Sequence, residues 1–171
     1  MSEKLAKWLI GVLAFIGNKY VITFIISMMP ILELRGGLIA ASLLGLKPIP
    51  SIIICYLGNL LPIPFILLFI MPIFDWLKKR KFMAKVVDWC LKKADKRKDT
   101  IVRLQYIGLA IFVAIPLPVT GAWTGALIAS VLDMDKKKAF LSIASGLVMA
   151  SAIMYIISFG IIGGLVKWKY F

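Results

Sequence analysis

Long apolar runs separated by short polar segments form the pattern of this chain. The four long runs cover residues 20–44, 51–74, 104–132 and 139–166. A helix that crosses a bilayer needs about 20 apolar residues, so each run is long enough to cross. The pattern predicts an all-α integral membrane protein.

A shorter apolar segment precedes these runs. Residues 5–17 place their large apolar side chains on one helical face, and Lys4 and Lys7 lie at the start. Thirteen residues are few for a membrane span. Two interpretations remain open: a helix lying at the membrane surface, or part of a tilted span.

Composition and charge agree with a membrane location. Hydrophobic residues make up 61% of the chain and the mean hydropathy is +0.96, above the roughly 45–50% apolar share of soluble domains. Residues 75–103 carry 11 Lys and Arg against 4 Asp, which predicts a cytoplasmic segment by the positive-inside rule. This segment has an amphipathic helical pattern, and it either contacts anionic lipid headgroups or only sets topology. The net charge of +13 therefore has a topological cause, and we expect no nucleic-acid partner.

An internal repeat becomes visible when the chain is shifted by 88 residues. Both copies read P-x6-G-x3-A-S-x-L, and a glycine follows at the same later position. The identical pairs are Pro30 and Pro118, Gly37 and Gly125, Ala41 and Ala129, Ser42 and Ser130, Leu44 and Leu132, and Gly58 and Gly146. Chance is the alternative explanation, because small residues are common in membrane helices.

The repeated runs fit re-entrant hairpins. About ten helical residues rise 15 Å, half the thickness of the hydrocarbon layer. The predicted legs are residues 20–29 with 36–46, and residues 104–115 with 121–132. Residues 30–35 form the tip of the first hairpin, and the sequence IPLPVTG at 115–121 forms the tip of the second. If instead every run spans, Lys136–Lys138 lie opposite the basic segment, whereas a second hairpin puts both on the cytoplasmic side.

The predicted fold is therefore two inverted repeats, each a re-entrant helical hairpin plus a transmembrane helix. Inverted repeats with broken helices are an architecture of transporters. The chain would form one membrane domain, 1–171. Its parts are an N-terminal helix (1–18), repeat one (19–74), the basic cytoplasmic linker helix (75–103) and repeat two (104–171).

Glu33 and Arg35 are the charged residues inside the apolar runs, away from their ends. Each costs about 2.5–3.5 kcal/mol at a helix centre on insertion scales, so a function or a firm pairing must offset that cost. The structural interpretation is an ion pair that holds the first tip together. The functional interpretation is a substrate and proton site, in which Glu33 carries the proton.

The helix starts that follow both tips favour an anionic substrate, because helix N-termini are positive. Non-helical backbone at membrane depth must be enclosed by protein or line a cavity, so both tips mark an interior site. The predicted substrate-binding residues are Glu33, Arg35, Gly36, Gly37, Pro116, Pro118, Thr120, Gly121, Trp123 and Thr124. Neither a metal-ligand cluster nor a nucleophile–base pair is visible, so we expect no enzyme activity, metal or cofactor.

Two motifs resemble the signatures of a known bacterial membrane family. The motifs P-x-x-E-L-R-G-G at 30–37 and I-P-L-P-x-T-G-A-W-T-G at 115–125 are similar to those of the small multidrug export proteins. That family distantly resembles the DedA/VTT superfamily of transporters and lipid scramblases. The resemblance implies two re-entrant hairpins and motif roles for Glu33, Arg35, Pro116, Pro118, Thr120, Gly121 and Trp123. Unlike DedA proteins, this chain has no charge at its second tip.

Three functions are compatible with these features. We favour proton-coupled transport or scrambling of an anionic amphiphile, such as a polyprenyl or phospholipid phosphate. The alternatives are proton-coupled efflux of small hydrophobic or cationic drugs and a non-transporting assembly role. The expected partners are membrane lipids, protons and the substrate. Whether the protein forms a homodimer is left open. The expected location is the cell membrane, multi-pass, with 75–103 and 133–138 in the cytoplasm.

Overall fold

The computed structural model describes residues 2–78, 105–116 and 120–162, together with Asp88. Within these residues every regular element is a helix and none is a strand. Most of the basic segment 75–103, which was predicted to form an amphipathic helix, lies outside the described residues. Of this segment the structure describes residues 75–78 and Asp88.

Eight α-helices follow one another in the described residues. They are α1 (Ser2–Val12), α2 (Lys19–Met28), α3 (Glu33–Leu43), α4 (Pro48–Leu60), α5 (Ile63–Lys78), α6 (Gln105–Ala114), α7 (Ala122–Val131) and α8 (Lys136–Tyr155). A short 3-10 turn at Ala14–Ile16 follows α1, and a π-helical segment at Ile156–Ile162 continues α8.

Two helical stretches of the described chain are long and apolar enough to cross a membrane. They are Pro48–Phe74, with 27 residues, and Lys136–Gly160, with 25 residues. The first consists of α4 and α5 with a turn between them at Leu61 and Pro62. Large apolar side chains on its outside are exposed, including Phe65 and Phe69. This pattern suits a helix that faces lipid.

The chain divides into two compact units. Unit 1 consists of Met1–Leu61 with Leu147–Phe171, and unit 2 is Pro62–Gly146. Each long helical stretch therefore contributes its first part to one unit and its second part to the other. The unit boundaries differ from the predicted repeat boundaries at 74 and 104, and the single membrane domain stays a prediction.

Unit 1 is built around the two short helices α2 and α3. Asn18 caps α2, because its Oδ1 accepts a hydrogen bond from the Tyr20 N–H at 2.9 Å. Lys19 Nζ donates to the Leu44 carbonyl at 3.4 Å, so α2 begins where α3 ends. The two helices pack against each other and against α4. Helix α1, from the predicted 5–17 segment, packs against α3.

Unit 2 contains a corresponding pair, α6 and α7. Helix α7 packs against α6 and α5. The Lys138 ammonium lies 5.8 Å from the centre of the Tyr106 ring, a cation–π contact. The start of α6 therefore lies beside the start of α8.

The ends of α3 and α7 have the same backbone hydrogen bonds at positions 88 residues apart. The Leu46 N–H donates to the Ala41 carbonyl, and the Met134 N–H donates to the Ala129 carbonyl, both at 3.0 Å. Gly45 (φ 68°) and Asp133 (φ 50°) are both left-handed. This is the Schellman arrangement, which satisfies the free carbonyls at a helix end.

Close glycine contacts also recur in the two units. Gly37 faces the Ser27 and Cys55 side chains, and Gly125 faces Val113 and Ile143. A Cβ built on Gly58 would lie 2.7 Å from the Phe24 carbonyl oxygen, and one built on Gly146 would lie 2.5 Å from that of Ala110. In these matches α7 and α8 follow α3 and α4 by 88 residues, and α6 follows α2 by 86. In this register the connection from α6 to α7 is therefore two residues longer than that from α2 to α3.

Candidate functional site

Glu33 is the first residue of α3 and has a left-handed backbone with φ of 51°. Its side chain is buried, with 5% exposed. The left-handed conformation costs roughly 1–2 kcal/mol for a residue with a Cβ. The residue 88 positions later is Gly121, which precedes α7 and has φ of 145°. Positive φ therefore occurs at both positions, with a carboxylate side chain in unit 1 and glycine in unit 2.

Arg35 follows Glu33 by two residues and is half-buried. The two side chains interact electrostatically. Glu33 also lies in the first helical turn of α3, where the positive end of the helix dipole favours a carboxylate. Unit 1 thus holds opposite charges together at the start of a short helix.

The next two residues, Gly36 and Gly37, are buried against protein atoms. A Cβ on Gly36 would meet the Leu32 side chain, and one on Gly37 would meet Ser27. Gly36 therefore leaves room for the Leu32 side chain, and Gly37 allows α3 to pack closely against α2 and α4. Their predicted role in binding substrate stays a prediction.

In unit 2 the structure describes five of the six predicted site residues, and Pro118 lies outside the described residues. Pro116 is half-buried at the end of the first leg. The buried Thr120 Oγ1 donates to the Ile115 carbonyl at 2.8 Å, which holds the two sides of the tip together. Trp123 and Thr124 are half-buried in the first turn of α7. Trp123 lies 88 residues after Arg35, so α7 carries an aromatic ring where α3 carries a charge.

Sequence reasoning missed a row of polar side chains inside unit 1. Helix α4 carries them at a spacing of four, and α2 carries two more at the same spacing. All five side chains are at most 1% exposed: Thr23, Ser27, Ser51, Cys55 and Asn59. We call these five residues the polar face. The available signal was the spacing of four in otherwise apolar runs, which places residues on one side of a helix.

Four of the five polar-face residues are hydrogen-bonded. The hydroxyls of Thr23, Ser27 and Ser51 donate to carbonyls of their own helices at 2.7–2.8 Å. The Cys55 thiol hydrogen-bonds with the Ser27 and Thr23 side chains. The fifth residue is different: neither Nδ2 nor Oδ1 of the Asn59 amide has a hydrogen-bond partner.

A comparison with protein families identifies the group to which the chain is related. The family model for small multi-drug export proteins matches residues 33–153. The chain belongs to this family. The match begins at Glu33 and includes the second tip. The predicted resemblance is thereby confirmed, whereas the relation to the DedA/VTT superfamily stays a prediction.

The description of the small multi-drug export family gives export as a proposed activity and names no reaction. No curated protein and no solved structure matches the chain. Among the residues that the structure describes, no group of three His, Cys, Asp or Glu side chains could hold a metal ion. The family assignment and the two long apolar helices together place this protein in a membrane.

The left-handed backbone of Glu33 can be tested by substitution. We expect Glu33→Gly to be more stable than Glu33→Ala by about 1 kcal/mol, because only glycine adopts a left-handed backbone without cost. In an ordinary helix the order is the reverse, with alanine favoured by about 1 kcal/mol. Thermal unfolding of both variants in detergent measures the order. A more stable alanine variant would contradict a left-handed residue 33.

Proposed function

We propose that this small multi-drug export family member is a proton-coupled transporter or scramblase of an anionic amphiphile, such as a lipid phosphate. The charged pair Glu33 and Arg35 would form its substrate and proton site. The observation that carries this proposal is the retention of a buried carboxylate in a left-handed conformation, where unit 2 has glycine. Backbone strain of this kind clusters at functional sites.

The chemistry of the pair supports coupling between an anion and a proton. Burial makes the charged carboxylate unfavourable, and the Arg35 guanidinium offsets this penalty. An anion that binds Arg35 removes the counter-charge of Glu33, which then takes up a proton. When the anion leaves, the ion pair forms again and the proton is released. Substrate and proton would therefore travel together.

We further propose that α2 with α3 and α6 with α7 are re-entrant hairpins of two inverted repeats in a multi-pass cell-membrane protein. Helices of 10 or 11 residues rise only about 15–17 Å. The contacts between Lys19 and Leu44 and between Lys138 and Tyr106 support hairpins whose ends lie together. The matching helix ends and glycine contacts support the repeat. Pro116, Pro118, Thr120, Gly121, Trp123 and Thr124 remain proposed substrate contacts.

The second candidate function is proton-coupled efflux of small hydrophobic or cationic drugs. The family description, which names multi-drug export, favours it. Against it stands Arg35, which interacts with the buried carboxylate and would repel a cation from it.

Labelling with a membrane-impermeant maleimide tests the second hairpin. In a Cys55→Ser, Cys90→Ser background, Arg103→Cys and Lys138→Cys should both react from the cytoplasmic side, because a re-entrant run begins and ends on one side. Inverted vesicles and intact spheroplasts distinguish the two sides. Reaction of the two cysteines from opposite sides would mean that residues 104–132 span the membrane, and the hairpin proposal would be wrong.

Transport by purified protein in liposomes tests the roles of the charged pair. Phosphatidylcholine vesicles containing fluorescent phosphatidic acid measure lipid exchange, and an imposed pH gradient measures coupled accumulation. Glu33→Gln mimics the protonated state, so it should keep passive exchange and lose accumulation driven by pH. Arg35→Gln should lose both, because the anion loses its counter-charge.

The control variant is Lys47→Gln, which removes an exposed charge outside the proposed site and should transport normally. Coupled accumulation by Glu33→Gln would exclude Glu33 as the proton carrier. Transport of a fluorescent cationic dye, with no exchange of phosphatidic acid, would instead select the drug-efflux alternative.

A further inference from the structure

Asn59 is the most unusual polar residue inside unit 1. Its side chain is 1% exposed, and both ends of its amide lack a hydrogen-bond partner. An unpaired buried polar group costs about 1–3 kcal/mol. The other members of the polar face avoid that cost by bonding to their own helices or to each other. The packing of unit 1 therefore does not account for Asn59.

Comparison with the repeat-related positions shows that the architecture does not require a polar face. The contacts of Gly37 and Gly125, and of Gly58 and Gly146, match the positions one by one. The residues at the matching offsets from Thr23, Ser27, Ser51 and Cys55 lie in unit 2 and are all buried and apolar: Leu109, Val113, Ala139 and Ile143. The residue 88 positions after Asn59 is Leu147, which is buried and apolar and is the first residue of the second part of unit 1. Unit 2 thus has aliphatic side chains at the positions that match four members of the polar face.

The backbone register places Asn59 at the level of Glu33. Helices α3 and α4 are joined by a short turn and pack against each other, so they run in opposite directions. Gly37 of α3 faces Cys55 of α4. Glu33 lies one turn before Gly37, and Asn59 lies one turn after Cys55. Both are therefore displaced in the same direction from that contact, by one helical turn of about 5.4 Å.

We propose that the polar face of unit 1 is a hydrogen-bonding site for the oxyanion headgroup of the substrate, with Asn59 as its central contact. This inference rests on the proposed function of Glu33 and Arg35. The Asn59 amide offers two N–H donors and an acceptor oxygen. A protonated phosphate monoester carries both acceptor oxygens and an O–H donor, so it can satisfy both ends of the amide. The Ser27 hydroxyl oxygen keeps a lone pair that can accept a hydrogen bond from the headgroup.

The substitution Asn59→Leu tests this site, because leucine has nearly the same shape and is the residue at the repeat-related position. A binding role predicts a melting temperature equal to or above that of the wild type, since an unpaired amide is removed. It also predicts a loss of phosphatidic acid exchange of about tenfold or more. A structural role predicts the reverse: a lower melting temperature, with exchange per folded molecule unchanged.

The matched control is Leu147→Asn, which places an amide at the repeat-related position. It should lower the melting temperature and keep exchange per folded molecule. If Asn59→Leu does not fold, Asn59→Ala replaces it, and its exchange per folded molecule should fall by a similar factor. Normal exchange by either folded Asn59 variant would overturn the proposal.

Two further measurements complete the test. The first asks whether the site binds free phosphate or only a lipid headgroup, and the second distinguishes failure of the polar-face proposal from failure of the proposed function. Inorganic phosphate added to the vesicles should inhibit exchange if the site recognises a free oxyanion as well as a lipid headgroup. No inhibition would restrict the site to a phosphate attached to lipid. If Arg35→Gln also transports normally, the proposed function itself is wrong. If Arg35→Gln is inactive and Asn59→Leu is normal, only the polar-face proposal is wrong.

Discussion

The constraint on which this structure depends is the need to satisfy polar groups inside an apolar protein. A polar group that is buried away from water must find a partner within the chain or in a ligand. The interior of the protein meets this need in three ways. Serine and threonine hydroxyls donate to carbonyls of their own helices. The last carbonyls of α3 and α7 accept hydrogen bonds from N–H groups just beyond the helix ends. The opposite charges of Glu33 and Arg35 interact.

The two units satisfy this need differently, and the differences indicate where a ligand would bind. Corresponding glycines make corresponding contacts in both, and the helix ends have the same hydrogen bonds. Unit 2 fills its interior with aliphatic side chains and turns its tip at Gly121. Unit 1 has a polar face, an unpaired amide and a buried carboxylate on a left-handed backbone. The unpaired amide and the left-handed backbone at Glu33 cost stability in unit 1, which is why we propose ligand binding there.

Features that arise from a few neighbouring residues, and that have a large free-energy cost or gain in a membrane, could be predicted from the sequence. The long apolar runs and the breaks near Pro30 and Pro116 follow from hydropathy and from proline chemistry. Glu33 and Arg35 stood out because charge is expensive in lipid. The family resemblance rested on the same motifs and is confirmed.

Other features depend on which helices become neighbours, so local patterns did not reveal them. Serine, threonine and cysteine satisfy themselves in a membrane helix, and their sequence signal is weak. Asn59 becomes notable only when the packing of α2, α3 and α4 leaves it without a partner. The left-handed backbone of Glu33 was equally hidden, because glutamate has no preference for positive φ. The turn at Leu61 and Pro62 was not predicted either, although Pro48–Phe74 is still one apolar stretch long enough to cross a membrane.

The central proposal is that Glu33, Arg35 and the polar face of unit 1 bind the substrate headgroup. Photo-crosslinking in liposomes, with a phosphatidic acid that carries its reactive group beside the phosphate, tests this claim most directly. Peptide mapping by mass spectrometry should locate adducts in residues 23–37 and 51–59, and excess unlabelled phosphatidic acid should suppress them. Suppressible adducts in residues 109–125 and 139–146, with none in the unit 1 segments, would contradict the claim.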